Sequence, residues 1–341
     1  MSNPALSVIT SDLPEKWQEI LADLITDPKE LTQILQLESA GGAQRRLAQS
    51  GLNAFSLKVP RPFVQRMQPG NWNDPLLRQV WPSQLEDDAD CSLSEDPLQE
   101  KTFNQAEGLL QKYHGRVLLT AAPHCAVHCR YCFRRHFDYA ANTPGKQQWH
   151  KTLSQISRDN SISEVILSGG DPLAAGDKHL QWLLTQIDGL KQVTTIRIHT
   201  RLPIVIPQRI TNRLCQTFSS LNCKLVIVIH CNHGQEIDSS VRVAMQKLRL
   251  TGATLMNQTV LLRNVNDDVE TLVKLSHKLF DINVLPYYLH LPDRVTGTGH
   301  FLVEEQQGIN LITKVRGLLP GYLVPRLVKE DPGSDSKTRL G

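Results

Sequence analysis

Between residues 117 and 290 one short apolar run follows another at a near-constant interval. The runs begin near Val117 (VLLTAA), Glu164 (EVILSG), Thr195 (TIRIHT), Lys224 (KLVIVIH), Thr254 (TLMNQTVL) and Val284 (VLPYYL). After a longer first interval the starts lie about 30 residues apart, the length of one strand–helix–strand unit. The stretches between them have helical periodicity: "DKHLQWLLTQI" puts Leu180, Leu183, Leu184 and Ile187 on one face, and "EIDSSVRVAMQKL" does the same with Val241, Ala244, Met245 and Leu248. Parallel strands need a crossover, and a helix supplies it. The rhythm therefore predicts an α/β fold. Six units fit this region where a closed barrel has eight, so the expected architecture is a partial, TIM-like (β/α)6 barrel over residues 111–330.

The flanks read differently. Residues 1–110 look like a helical and irregular accessory segment, and residues 331–341 like a short polar C-terminal one. In "DPKELTQILQL", Asp27 can cap, Pro28 fits the first helical position, Glu30 completes a capping box, and Leu31, Ile34 and Leu35 share an apolar face. "EDDAD" at 86–90 reads as a solvated acidic turn. Against 34 acidic residues, 37 lysines and arginines leave a net charge of only +3, too little to imply a nucleic-acid partner. The N-terminus lacks the pattern of a secretory leader, and the aliphatic run Leu225 to Ile229 is far too short to cross a bilayer. A soluble, cytoplasmic protein with no membrane partner is expected. Of seven cysteines, Cys91, Cys215, Cys223 and Cys231 are scattered, and they read as free thiols.

Chemistry-bearing residues collect where the strands end. Cys125, Cys129 and Cys132 follow the first strand, Gly169, Gly170 and Asp171 the second, and His199 and Arg201 the third. His230, Asn232 and His233 close the fourth, Asn257 and Gln258 sit in the fifth, and Tyr287, His290 and Asp293 follow in the sixth. In a barrel these positions converge on the C-terminal face, where active sites are built. The cysteines, in "HCAVHCRYCFRRHF", are spaced C-x3-C-x2-C. This suits either one buried helix face or a ligand set. Pro123 and the basic Arg130, Arg134 and Arg135 favour ligands, since basic neighbours favour thiolates. An iron–sulfur cluster is preferred, while zinc with His124, His128 or His136 as fourth ligand stays open.

Taken in order, "CRYCFRRHF", "LSGGDPL", "RIHTRLPIVIP", "HCNHGQE", "NQTVLLRNVND", "LPYYLH" and "GHF" resemble the lysine 2,3-aminomutases of the radical S-adenosylmethionine superfamily, from about residue 57 onward. The resemblance implies a partial barrel of the radical S-adenosylmethionine type. It implies a 4Fe-4S cluster on Cys125, Cys129 and Cys132 that leaves one iron for S-adenosylmethionine, and pyridoxal phosphate bound by Lys337. Gly169, Gly170, Asp171, His230 and Gln258 would contact cofactors, and Tyr113 and Arg116 would lie near the pyridoxal phosphate. Arg134 would pair with the substrate carboxylate, and Asp293 with Glu330 or the adjacent Asp331 would receive the distal ammonium of L-lysine. Where a zinc-binding relative carries cysteine, this chain has Asp268, so no structural zinc is expected. The short form resembles the branch that makes (R)-β-lysine for β-lysylation of elongation factor P. A separate ligase would take the product, and a flavodoxin-like or ferredoxin-like donor would supply electrons. The rivals are an aminomutase for another amino acid such as glutamate, which Asp293 would repel, and a non-enzymatic iron–sulfur protein.

Overall fold

The computed structural model describes residues 17–37, 46–48, 55–88, 90–99, 104–106, 108–137, 142 and 144–341. Among them, ten strands form one sheet in chain order. These are β1 (Asn104–Ala106), β2 (Leu109–Tyr113), β3 (Arg116–Ala122), β4 (Glu164–Gly169), β5 (Thr195–Thr200), β6 (Lys224–His230), β7 (Thr254–Val260), β8 (Leu285–His290), β9 (Arg326–Lys329) and β10 (Thr338–Arg339). From β3 to β9 every neighbour is parallel. β1 and β2 add antiparallel strands at one edge and β10 adds one at the other.

All six expected strands are present, but the parallel run has a seventh member, β9, that the sequence reading did not anticipate. Its four residues, Arg-Leu-Val-Lys, carry charge at both ends and offer no apolar run. The helix before it, Glu305–Leu318, packs on the sheet at Gly308, where a Cβ would come within 3.0 Å of Leu291 Cδ2. The expected division at residue 110 falls inside β2, which pairs with the first barrel strand. Nor does the C-terminal segment stand apart: β10 pairs with β9, and Leu340 N–H donates to Leu327 O at 2.9 Å.

Alternation along the strands decides what the sheet encloses. Val165, Leu167, Ile196, Ile198, Leu225, Ile227 and Ile229 point to the helices and share one core with Leu183, Leu184, Ile187, Val241, Met245 and Leu248. Those helical residues are the ones the periodicity selects. The opposite positions carry Arg116, Glu164, Arg197, His199, His230, Gln258, Tyr288 and His290, all partly exposed. A closed barrel fills its interior with layers of branched apolar side chains. This sheet stays open and lines its concave side with charge and imidazole, as a binding groove requires.

Two readings of the N-terminal arm need correction. Asp27 caps helix Pro28–Ile34 as expected, accepting from Lys29 N–H at 2.8 Å, but Glu30 instead receives Arg61 Nη2 at 2.7 Å. Leu31 and Leu35 are buried, whereas Ile34 is 42% exposed because the helix ends there and the chain turns. "EDDAD" is not simply solvated. Glu86 is buried, for a reason that lies in the cysteine loop.

Candidate active site

The loop after β3 carries the cysteines through successive turns, not a helix. Cys132 N–H donates to Cys129 O at 2.9 Å and Arg135 N–H to Cys132 O at 3.2 Å. That removes the helix-face reading of the spacing. Two of the loop's arginines act as its anchors. Arg130 Nε donates to Glu86 Oε1 at 2.7 Å and its Nη2 to Oε2, while Arg135 Nη2 donates to the same Oε2 at 2.6 Å. All three side chains are buried, so removing Glu86 would strand two guanidinium charges, a loss of about 3–5 kcal/mol for a buried pair. His128 stacks on Phe55 with ring centroids 4.5 Å apart and places Nδ1 2.8 Å from Ser56 O. His136 Nε2 lies 3.2 Å from Thr296 O.

These contacts revise the electrostatic expectation for the thiols. Because Arg130 and Arg135 are spent on Glu86, burial dominates. It pushes the Cys125 thiol well up, aided by Cys132 and Asp171, and lifts Cys132 to about 12 with help from Cys129. At Cys125 and Cys132 burial outweighs the basic neighbours, and a bound metal's positive charge would favour their thiolates. All three cysteines are free and half-buried. Among the described residues no three His, Cys, Asp or Glu side chains converge to hold a single ion. A 4Fe-4S cluster takes each thiolate on a different iron. The donor set therefore fits an iron–sulfur cluster.

Behind the loop lies "GGD". Gly169 has φ +106°, and a Cβ there would meet Thr120 Cγ2 at 2.6 Å. A Cβ on Gly170 would meet His124 O at 2.4 Å and His124 C at 2.7 Å, so this glycine lets the cysteine loop lie flat against β4. Asp171 does not face the groove as expected of a cofactor contact. Its buried carboxylate accepts from Thr200 Oγ1 at 2.6 Å and from the backbone N–H groups of Leu173 (3.0 Å), Arg201 (2.7 Å) and Leu202 (2.9 Å). Burial still raises its pKa against these four donors. Asp171 locks the end of β4 to the end of β5.

Next to it sits a buried polar network that the sequence reading did not assign. Arg201 donates through Nη1 to Cys129 Sγ at 2.7 Å and to Tyr131 OH, and through Nη2 to Gln79 Oε1 at 2.8 Å. Tyr131 OH in turn lies 2.8 Å from His230 Nε2. Burial, then the charge of Arg201, pushes His230 well below its usual range, so the ring beside Tyr131 is neutral. Glu236 Oε1 takes the N–H groups of Asn232 (2.9 Å) and His233 (3.0 Å) and Gln79 Nε2 (3.1 Å). The signal was in "CRYC", "HTR" and "HCNHGQE", but Gln79 comes from the arm, and no local pattern joins it to them.

At the far side of the groove, β10 sets Lys337 immediately before a strand pinned to β9. Lys337 Nζ donates to Glu330 Oε1 and lies 5.9 Å from the Tyr288 ring centroid. Lys112 Nζ holds Glu330 Oε2 at 3.0 Å. Burial alone would raise the Glu330 pKa, but the ammonium groups of Lys337 and Lys112 hold it at about 2. Both carboxylate oxygens are thus held by lysines of this chain, Oε1 by the lysine expected to carry the cofactor and Oε2 by Lys112. Asp331 turns to the rim, accepting from Thr338 Oγ1 at 2.6 Å with Lys329 Nζ 3.7 Å away. Asp293 is half-buried just past β8. Tyr113, whose pKa burial and Glu330 push up to about 12, lies under Arg116, the guanidinium 5.1 Å from its ring. Asp268 caps helix Val269–Asp281 by accepting from Thr271 N–H at 2.9 Å.

Between Lys337 and the cysteine loop stand His199, His290 and Arg134. Burial, then the charges of Arg197, Lys337 and Arg134, pushes His199 well below its usual range, and burial followed by Lys337 brings His290 down to about 3. The Nε2 atoms of both rings are buried without a hydrogen-bond partner. Arg134 Nη1 donates to Ser168 Oγ at 3.3 Å, and its guanidinium lies 4.8 Å from the Phe133 ring. Orphaned imidazoles beside lysine, tyrosine and arginine fit a polar aromatic anion such as pyridoxal phosphate.

Comparison with known proteins follows the same lines. The family described as a 4Fe-4S single cluster domain matches residues 114–202, which contain all three loop cysteines. The L-lysine 2,3-aminomutase of Escherichia coli (strain K12) is 46% identical over 98% of this chain and 97% of its own. That of Haemophilus influenzae is 44% identical over 95% of each. The L-lysine 2,3-aminomutase of Bacillus subtilis (strain 168) is 31% identical over 96% of this chain and 70% of its own. Among solved structures, a radical SAM methyltransferase from Sphaerobacter thermophilus aligns with a TM-score of 0.48 at 14% identity, over 66% of this chain and 69% of that one.

Proposed function

The chain belongs to the L-lysine 2,3-aminomutase family, and on that premise we propose that it moves the α-amino group of L-lysine to C3, giving (R)-β-lysine. The observation that carries the reading is that the cysteine loop follows β3 and Lys337 precedes β10, at the two ends of the parallel run β3–β9, while His199 feels the charges of both Lys337 and Arg134. Cys125, Cys129 and Cys132 hold the 4Fe-4S cluster, and Lys337 holds pyridoxal phosphate. Together with S-adenosylmethionine these supply the one-electron chemistry that no side chain can perform.

The chain's own residues bind, orient and shield. Arg134 offers a planar fork to the substrate carboxylate, and its stacking on Phe133 and bond to Ser168 fix the fork's plane. Asp293 receives the distal ammonium, a contact that also turns away glutamate by like-charge repulsion. Tyr113 and Arg116 border the cofactor ring and phosphate. His199 and His290 stay neutral, and their free Nε2 atoms take hydrogen bonds without adding charge. Glu330 positions the Lys337 amine that would hold the cofactor, and Lys112 steadies Glu330 from its other oxygen.

The β-lysine is further proposed to serve the modification of elongation factor P through a separate ligase. What supports this is the resemblance of the motif set to the short branch of the aminomutases. Two experiments test the proposals separately. Anaerobically reconstituted protein given L-lysine, S-adenosylmethionine, pyridoxal phosphate and a low-potential reductant should form β-lysine, and L-glutamate should not react. Elongation factor P from cells lacking this protein should have lost its β-lysyl mass increment and regain it when (R)-β-lysine is supplied. An unchanged mass would leave the aminomutase standing and remove the pathway.

A further inference from the structure

Arg201 is 6% exposed, and its guanidinium lies over two rings, 5.4 Å from the Phe63 centroid and 5.6 Å from that of Tyr131. Its backbone is fixed as well, since Arg201 N–H and Leu202 N–H both donate to Asp171 Oδ2. From this rigid seat Nη1 reaches Cys129 Sγ at 2.7 Å. The nearest carboxylate, Glu236, touches Nη2 at 3.4 Å and already accepts from Gln79, Asn232 and His233. The positive charge is therefore only partly balanced, and it is in direct contact with one ligand sulfur.

We propose that Arg201 is a positioning residue for the cluster: by donating to Cys129 Sγ it raises the cluster's reduction potential. The proposal rests on the reading that Cys125, Cys129 and Cys132 hold a 4Fe-4S cluster. Reduction adds one electron, whose charge spreads onto the thiolate sulfurs. A buried, charge-assisted hydrogen bond to one sulfur stabilises the reduced form more than the oxidised form. The electron comes from an external low-potential donor, and no proton need move. Asp171 thereby gains a part in function without touching a cofactor, because it fixes the backbone from which Arg201 reaches the loop.

The test is a redox titration with low-potential mediators, followed by electron paramagnetic resonance, on anaerobically reconstituted full-length protein. Arg201→Met and Arg201→Gln should hold as much iron and sulfide as the parent but reduce at a more negative potential. The expected change is at least tenfold in the reduction equilibrium, about 59 mV for one electron. Arg201→Lys, which keeps a cationic donor, should recover most of the shift. Glu236→Gln should move the potential the opposite way, because it removes the partial counter-charge while leaving Arg201 in place. This variant decides the matter if the Arg201 substitutions fail to take up a cluster. Full clusters with parent potentials in Arg201→Met, or no upward shift in Glu236→Gln, would overturn the proposal alone. A parent protein with no reducible cluster would instead overturn the cluster reading beneath it.

Discussion

Both carboxylate oxygens of Glu330 are held by lysines of this chain, and the partner that matters is Lys337. In the sequence that lysine is one polar residue in a polar tail, and only a resemblance marks it. In the fold it is the residue before a strand, aimed at Glu330 and Tyr288. Borohydride reduction of protein loaded with pyridoxal phosphate should leave the pyridoxyl group on Lys337, found by peptide mass. Recovery on Lys112, the other ammonium on Glu330, would reassign the cofactor site. Asp293 is the residue proposed to set the choice of substrate. Asp293→Ala should cost about 2–5 kcal/mol in kcat/KM for lysine if the ammonium contact is desolvated, with cluster content unchanged. Unaltered lysine kinetics would remove Asp293 from the site.

At the level of elements, Gly170 joins β4 to the cysteine loop. A methyl group there meets the His124 backbone at 2.4 Å, and backbone cannot swing away as a side chain can. Gly170→Ala should therefore shift the loop and reduce cluster uptake severalfold, measured as iron per chain. Gly176→Ala, where a Cβ has nothing within 4 Å, should not. Equal iron in both variants would show that the loop does not depend on this close approach. The six spaced strands and their helix faces were legible because burial repeats with a fixed period, as Leu180, Leu183, Leu184 and Ile187 show. β9 was not, since four residues bracketed by charge carry no period. Glu86 was misread for a related reason. Its acidic neighbours dominate the local pattern, while its partners Arg130 and Arg135 lie more than forty residues away.

The groove also makes the whole molecule sensitive to acid. His199 and His290 keep their Nε2 atoms buried and are neutral in the fold, with His290 brought down to about 3, against 6.5 for a free histidine. Above 6.5 neither state of the chain protonates them. As pH falls below 6.5 the unfolded chain takes up protons that the folded chain refuses, so stability is lost steadily toward about 3. Glu330, held at about 2 against 4.5, contributes stability that is full above 4.5 and is lost progressively as pH falls from 4.5 to about 2. Between pH 6.5 and 4.5 the loss therefore belongs to the histidines, at most about 1.4 kcal/mol per pH unit for each proton. Urea denaturation of cofactor-free protein at pH 7.5 and 5.5 should show the drop, and His290→Asn should show a smaller one. An identical drop in the variant would mean that His290 is not neutral by burial.

The same groove must bring one lysine molecule to both rims for its amino group to migrate between adjacent carbons. L-lysine deuterated at C3 tests that most directly. The reconstituted protein, supplied with S-adenosylmethionine, pyridoxal phosphate and reductant, should release β-lysine carrying deuterium at C2, read by mass spectrometry and NMR. β-Lysine with only solvent hydrogen at C2, or lysine returned unchanged by protein with a full, reducible cluster, would contradict the account.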